Sequence, residues 1–297
     1  YCGTDQIKRM NLYRGFSTQE EIDRQYNFAL TVPDVKDWAD FYVEHSAAAR
    51  SDLDCSLDVR YGPTTEETVD IFPARDPDSP LMVFIHGGYW YRLSSKEFSM
   101  VANGLVGHGI TVAVMNYTLC PKVTVSEITR QSRALIAWLH GKAAHYNADA
   151  SRMFVSGHSA GGQQVAMLSG TDWSGDYGLP SDVLKGGVAI SGIYDLRALP
   201  YSYLQPSLQL THEVIVRESP CLDVPDFGPP LLISYGAEET SEIQRLADEY
   251  HQARQANGLG GELLVQDGKH HYSAIEGLND GTSPLCIAVI EFMDRCA

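Results

Sequence analysis

Gly157-His158-Ser159-Ala160-Gly161 follows directly on a short apolar run, Met153-Phe154-Val155. The spacing G-x-S-x-G after such a run predicts a serine on a tight strand-to-helix turn, its hydroxyl pushed out of the sheet. Small residues flank the serine because a Cβ at either glycine would collide with the turn. Glycine and serine are common, so the pentapeptide alone is a modest signal, and its surroundings decide the reading.

Upstream, Ile85-His86-Gly87-Gly88-Tyr89-Trp90 closes another apolar run. Downstream, Leu231 to Tyr235 leads into Gly236-Ala237-Glu238-Glu239, and Asp267-Gly268-Lys269-His270-His271-Tyr272 follows the last β-rich run. Serine, then acid, then histidine is one chain order in which a nucleophile relay is built. Serine is a weak nucleophile until a base takes its proton, and the base is held in one tautomer by a carboxylate. His270 and His271 are both candidate bases, and because neighbours point in different directions only one can reach the serine. Glu239, third after Gly236, is the candidate acid, with Glu238 as the alternative. The plain alternative is that both histidines are at the surface and both glutamates merely begin the next helix, where the dipole favours acids.

A tetrahedral intermediate needs fixed donors aimed at its oxygen. The backbone N–H groups of Gly87 and Gly88 are unshielded candidates, with Ala160 N–H, at a helix start, as a third. An ordinary turn after a strand is the competing explanation for the two glycines. His86 and His158 read as structural, holding these loops by hydrogen bonds. Tyr89 and Trp90 follow the glycines directly and are expected to line the substrate pocket, although aromatics here could equally be core.

Beyond about residue 68, short β-rich runs alternate with helical stretches. The strand candidates are Val69–Pro73, Leu81–Ile85, Thr111–Met115, Met153–Ser156, Gly187–Ile190, Leu231–Tyr235 and Glu262–Val265. Several are apolar throughout, as strands covered on both faces are. The helix candidates between them are Phe98–Val106, Ser126–His140, Gly161–Ser169, Ser241–Ala256 and Leu285–Cys296. This alternation predicts an α/β fold, a mostly parallel central sheet flanked by helices. Residues 1–60 read as a polar, helical lead-in, with Ser17 and Glu20 as a capping box and a second helix over Val35–Ala49. Residues 195–229, punctuated by five prolines with Pro230 just beyond, read as a cap-like excursion. The whole chain, 1–297, is expected to be one domain with a small cap formed by these two segments.

The 297 residues are 44% hydrophobic and carry a formal net charge of −16. That size buries a large core, and such a charge repels phosphate backbones, arguing against nucleic acid as a partner. No stretch of 18 apolar residues suggests a membrane span, and the visible chain begins at Tyr1 with no basic-then-apolar leader. The six cysteines have no metal-ligand spacing and read as free, mostly buried thiols. A cytoplasmic location is therefore expected.

His86-Gly87-Gly88-Tyr89-Trp90 resembles the H-G-G-Y-W loop of the serine-dependent kynurenine formamidases, in the esterase/lipase branch of the α/β-hydrolases. Glu20-Glu21-Ile22-Asp23-Arg24-Gln25-Tyr26-Asn27, Gly157 to Gly162 and Ser191-Gly192-Ile193-Tyr194-Asp195-Leu196 extend the similarity, as does His271-Tyr272 with Ile275-Glu276-Gly277-Leu278. The resemblance favours His271 as the base. It implies an α/β-hydrolase fold and hydrolysis of N-formylkynurenine to kynurenine and formate, with no metal and no cofactor. The family usually carries aspartate where this chain has Glu239. The expected site is thus Ser159, Glu239 and His271, with Gly87, Gly88 and Ala160 holding the oxyanion and Tyr89 and Trp90 against the substrate. The expected partner is a small-molecule acyl amide or ester, with a homodimer allowed. A carboxylesterase or amidase of other acyl substrates is the same-class alternative, and a non-catalytic binding protein the distant one.

Overall fold

A computed structural model of the protein describes residues 11–297. Within them, eight strands form one sheet: β1 (Ser56–Arg60), β2 (Thr68–Phe72), β3 (Ser79–Ile85), β4 (Thr111–Met115), β5 (Ala148–His158), β6 (Leu184–Ile190), β7 (Leu231–Gly236) and β8 (Gly261–Gln266). Their spatial order is β1-β2-β4-β3-β5-β6-β7-β8. The β1–β2 and β2–β4 pairs are antiparallel and all other neighbours are parallel. The helices are α1 (Gln19–Tyr26), α2 (Val35–Asp52), α3 (Val101–Val106), α4 (Val125–His140), α5 (Ala160–Ser169), α6 (Trp173–Tyr177), α7 (Gln205–Leu208), α8 (His212–Arg217), α9 (Ser241–Ala256) and α10 (Pro284–Cys296).

The central strands, such as β3, β4 and β7, are apolar runs because both of their faces are covered. Successive side chains alternate between faces, and the core divides accordingly. Leu81, Val83 and Ile85 of β3 join a layer with Leu135 of α4, Val165 of α5 and Ile243 of α9. Met82 and Phe84 of the same strand join the opposite layer, with Leu105 of α3 and Phe292 of α10. Each such fully buried side chain contributes about 1.5–3 kcal/mol. The three-layer α/β arrangement is the expected one.

Several local expectations change. The helix-start signal sits one residue later than Ser17–Glu20: Thr18 caps α1, its Oγ1 accepting from Glu21 N–H, while the Glu21 carboxylate accepts from Thr18 N–H. The Ser17 hydroxyl instead donates to Asn11. The end of the lead-in is a strand, β1, rather than helix. β1 is held at the sheet edge by the buried Asp70 carboxylate, which accepts from Asp58 N–H at 2.8 Å and pairs with Lys96 at 2.7 Å. The helix expected from Phe98 begins at Val101, after a 3-10 turn over Ser95–Glu97. Residues 1–10, the first part of the lead-in, lie outside the described residues.

The N-terminal segment and residues 195–229 meet above the carboxyl ends of the strands. The Tyr13 hydroxyl donates to buried Asp195 at 2.8 Å, and Tyr203 N–H donates to Asp23 at 2.8 Å. Tyr26, at the end of α1, reaches Glu242 on α9. These bonds clamp a short polar helix onto the α/β core. Isolated, α1 would be too short to persist.

Candidate active site

β5 ends at His158, and α5 starts at Ala160. Ser159 occupies the turn between them with φ +57° and ψ −116°, backbone that a non-glycine residue adopts only when its surroundings enforce it. The enforcement is visible: Ser159 N–H donates to Ile190 O on β6 at 2.9 Å, and Gln163 N–H donates to Ser159 O at 3.2 Å. A side chain at Gly157 would run into the Gly161 carbonyl, so the turn closes only with glycine there.

Three long-range partners converge on this turn. The Ser159 hydroxyl lies 3.1 Å from His271 Nε2 and donates to it. His271 Nδ1–H donates to Glu239 Oε2 at 2.7 Å, which fixes the tautomer because a carboxylate only accepts. Glu239 Oε1 accepts from Gly236 N–H at 3.0 Å and from the Ser191 hydroxyl. All three relay residues are buried, so the pair is little screened. The arrangement can pass the serine proton to an imidazole whose positive charge the carboxylate then balances.

The rival assignments separate on geometry. Glu239 N–H folds back onto Gly236 O at 3.0 Å, turning its side chain inward, whereas Glu238 is exposed. His270 points away from Ser159: its ring packs edge-on against Trp38 and its Nδ1 accepts from Ser273 N–H. His158 and His86 hold loops by hydrogen bonds. His158 Nε2–H donates to the His271 carbonyl at 2.9 Å, and His86 Nδ1–H donates to the Gly87 carbonyl at 2.7 Å. Burial depresses both imidazoles, His86 to about 4 and His158 well below its ordinary range, so both are neutral.

Gly87 packs against the serine: a Cβ there would sit 3.2 Å from Ser159 Cβ. Gly88, at φ +105°, lines the cavity above Ser159, and a side chain on it would strike the Arg92 carbonyl. Among the described residues, neither glycine N–H donates to the protein, and the first N–H groups of α5, including Ala160, have no intrahelical acceptor.

The cavity at Ser159 measures about 60 Å³. Tyr89 lines it, and its hydroxyl donates to the Tyr26 carbonyl. Trp90 does not. It is fully buried in the core, its Nε1–H donating to Gln163 at 3.2 Å, because at a left-handed φ of +59° the chain turns that side chain inward. Sequence reasoning missed Phe28 and Tyr42, which the N-terminal segment delivers to the cavity wall, and Ser191, which holds Glu239. Only the resemblance at Ser191-Gly192-Ile193-Tyr194 carried a signal for any of these. No residue of 195–229 lines the cavity. That segment buttresses it through Tyr203, whose hydroxyl donates to Tyr26 O at 3.4 Å. Among the described residues, no group of three His, Cys, Asp or Glu could hold a metal ion, and no helix is long and apolar enough to cross a membrane.

A serine on a strand-to-helix turn beneath a mostly parallel sheet's carboxyl ends, within reach of a carboxylate-held histidine, defines an α/β-hydrolase. Residues 69–186 match the family model described as BD-FAE. A kynurenine formamidase of Danio rerio is 31% identical over 239 residues, covering 78% of this chain and 80% of that one, and one of Salmo salar is 28% identical over 291 residues, covering 93% and 97%. A crystal structure from Silicibacter sp., provisionally assigned as a thioesterase, superposes with TM-score 0.79 at 26% identity, covering 91% of this chain and 99% of that one. The chain belongs to the kynurenine formamidase family of α/β-hydrolases, and it is a hydrolase of acyl amides or esters, arylformamidase-like in kind.

Proposed function

We propose that this enzyme hydrolyses aryl formamides, N-formylkynurenine among them, through a covalent formyl-enzyme on Ser159. Ser159 attacks the formyl carbon while His271 takes its proton and Glu239 stabilises the imidazolium that forms. The N–H groups of Gly87, Gly88 and Ala160 receive the developing oxyanion. His271 then protonates the leaving amine, and water repeats the sequence to release formate. The observation that carries this reading is the unbroken chain of hydrogen bonds Ser159–His271–Glu239.

The acyl group follows from space. A cavity of about 60 Å³ is far below the ~300–1,000 Å³ of pockets that enclose drug-sized ligands. It accommodates a formyl or similarly small acyl group and leaves the aryl amine outside, at the rim. The N-terminal segment and residues 195–229 act together as the cap of a single domain, supported by the Tyr13–Asp195 and Tyr203–Asp23 bonds. The five described cysteines are free thiols, which supports a reducing, cytoplasmic setting.

The test is a substrate panel: N-formyl anilides, longer acyl anilides and short-chain nitrophenyl esters, compared by kcat/KM. The formyl anilides should lead, with activity falling as the acyl chain grows. Esters of longer acids leading the panel would contradict the reading.

A further inference from the structure

We propose that Arg92 docks an anionic group of the substrate's leaving half at the mouth of the Ser159 cavity, so that the enzyme selects acyl compounds whose leaving group carries a carboxylate. This rests on the acyl-transfer reading of Ser159 and adds a determinant on the side of the substrate that the cavity is too small to enclose.

Among the described residues Arg92 is the one permanently charged side chain on the cavity wall; Phe28, Tyr42, Tyr89, Phe98 and Tyr272 make up most of the rest. The chain as a whole carries −16, a field that repels anions, and a lone cation at the entrance reverses that field locally. Among the described residues Arg92 has no carboxylate partner, in contrast to Arg130, Arg197 and Arg245, each of which is ion-paired. Its guanidinium lies over the Tyr91 ring, 4.9 Å from the centroid. Stacking holds the guanidinium by its face and leaves its N–H edge free to take a carboxylate with two parallel bonds.

The backbone beneath Arg92 is tied to the catalytic turn. Arg92 N–H and Tyr91 N–H both donate to Gly88 O, at 3.0 and 3.2 Å, and Gly88, Tyr89, Trp90 and Leu93 all hold positive φ. The loop that presents Gly88 to the cavity therefore curls back and sets Arg92 at a fixed place beside it. Burial pushes the Tyr272 phenol up and the Arg92 charge acts against that shift, consistent with Arg92 facing the same rim. Asp23, an acid nearby on the cap, is engaged by Tyr203 N–H.

The experiment compares kcat/KM for two matched pairs, each with one neutral and one carboxylate-bearing leaving group: formanilide against a carboxy-substituted formanilide, and phenyl acetate against carboxyphenyl acetate. In the wild-type enzyme the anionic member should be preferred and the preference should shrink as salt rises. Arg92→Gln should lower the anionic-to-neutral ratio by about tenfold or more, mainly through KM. Arg92→Lys should keep part of it, Arg92→Glu should reverse it, and Arg75→Gln, at the opposite end of β3, should leave it unchanged. A wild-type enzyme indifferent to the carboxylate, or an Arg92→Gln variant that shifts both members equally, overturns the proposal. Preference confined to the ester pair would contradict the formamide reading while leaving the role of Arg92 intact; no turnover of either pair overturns both.

Discussion

Phe28 lies face to face with His271, the ring centroids 3.6 Å apart and the planes inclined by 26°. A residue of the N-terminal segment thus roofs the base of the relay, some 240 positions distant in sequence, and keeps water from its imidazole.

Removing that roof should affect chemistry and folding together. Phe28→Ala is expected to cost about 3–5 kcal/mol of stability and to lower kcat between about tenfold and a hundredfold as His271 loses its fixed orientation. Phe28→Leu should recover most of the stability. Urea midpoints and steady-state rates on the two variants check both statements.

Glu239 meets three donors at once: His271, Gly236 N–H and the Ser191 hydroxyl. Glu239→Gln keeps the shape but offers His271 the wrong tautomer, and kcat should fall by about four orders of magnitude. Glu239→Asp keeps the charge but shortens the reach, costing about a hundredfold. Glu238→Gln, on the exposed neighbour, should stay near wild type. Equal losses at 238 and 239 would reject the assignment.

Gly88 has φ +105° and no room for a side chain. Gly88→Ala should force the loop away from Ser159 and cost about 10²–10³ in kcat, the loss of one oxyanion donor. Far-ultraviolet circular dichroism should remain that of the wild type, which separates a loop effect from unfolding.

His86 is pushed down to about 4 from the ordinary 6.5 by burial, and its Nε2 has no partner among the described residues. Between those values the unfolded chain binds a proton that the folded chain refuses. Stability therefore rises with pH across this window and is lost as pH falls from about 6.5 towards 4, by on the order of 3 kcal/mol for this one group. Buried His158 acts in the same direction. His86→Asn should flatten the dependence of the urea midpoint on pH in that interval; an unchanged slope would contradict it.

The sheet was legible because its central strands are apolar runs, and runs such as Leu81–Ile85 are apolar for a physical reason: both faces are covered. β1 was not, because an edge strand reading Ser-Leu-Asp-Val-Arg, largely exposed and with Asp58 at φ +54°, has no apolar run and only two apolar residues in alternation. Ser159 and Gly88 could be read from local spacing, since a turn without room for Cβ is a local property. Glu239 over Glu238 and His271 over His270 depend on which way adjacent side chains face after the chain has turned, and backbone bonds to Gly236 and Ser273 decide that. Phe28 and Tyr42 gave no signal at all, because their role comes from where a lead-in segment docks. Trp90 misled for the opposite reason: sequence adjacency to Tyr89 did not carry over into a shared direction.

The central claim, that Ser159 is the acyl-bearing nucleophile, is tested most directly by mass spectrometry after reaction with a fluorophosphonate. One adduct on the peptide containing Ser159, absent after Ser159→Ala or His271→Ala along with formamide hydrolysis, is the predicted result. An unlabelled Ser159 peptide, or a Ser159→Ala enzyme that still cleaves formyl anilides at the wild-type rate, would contradict it.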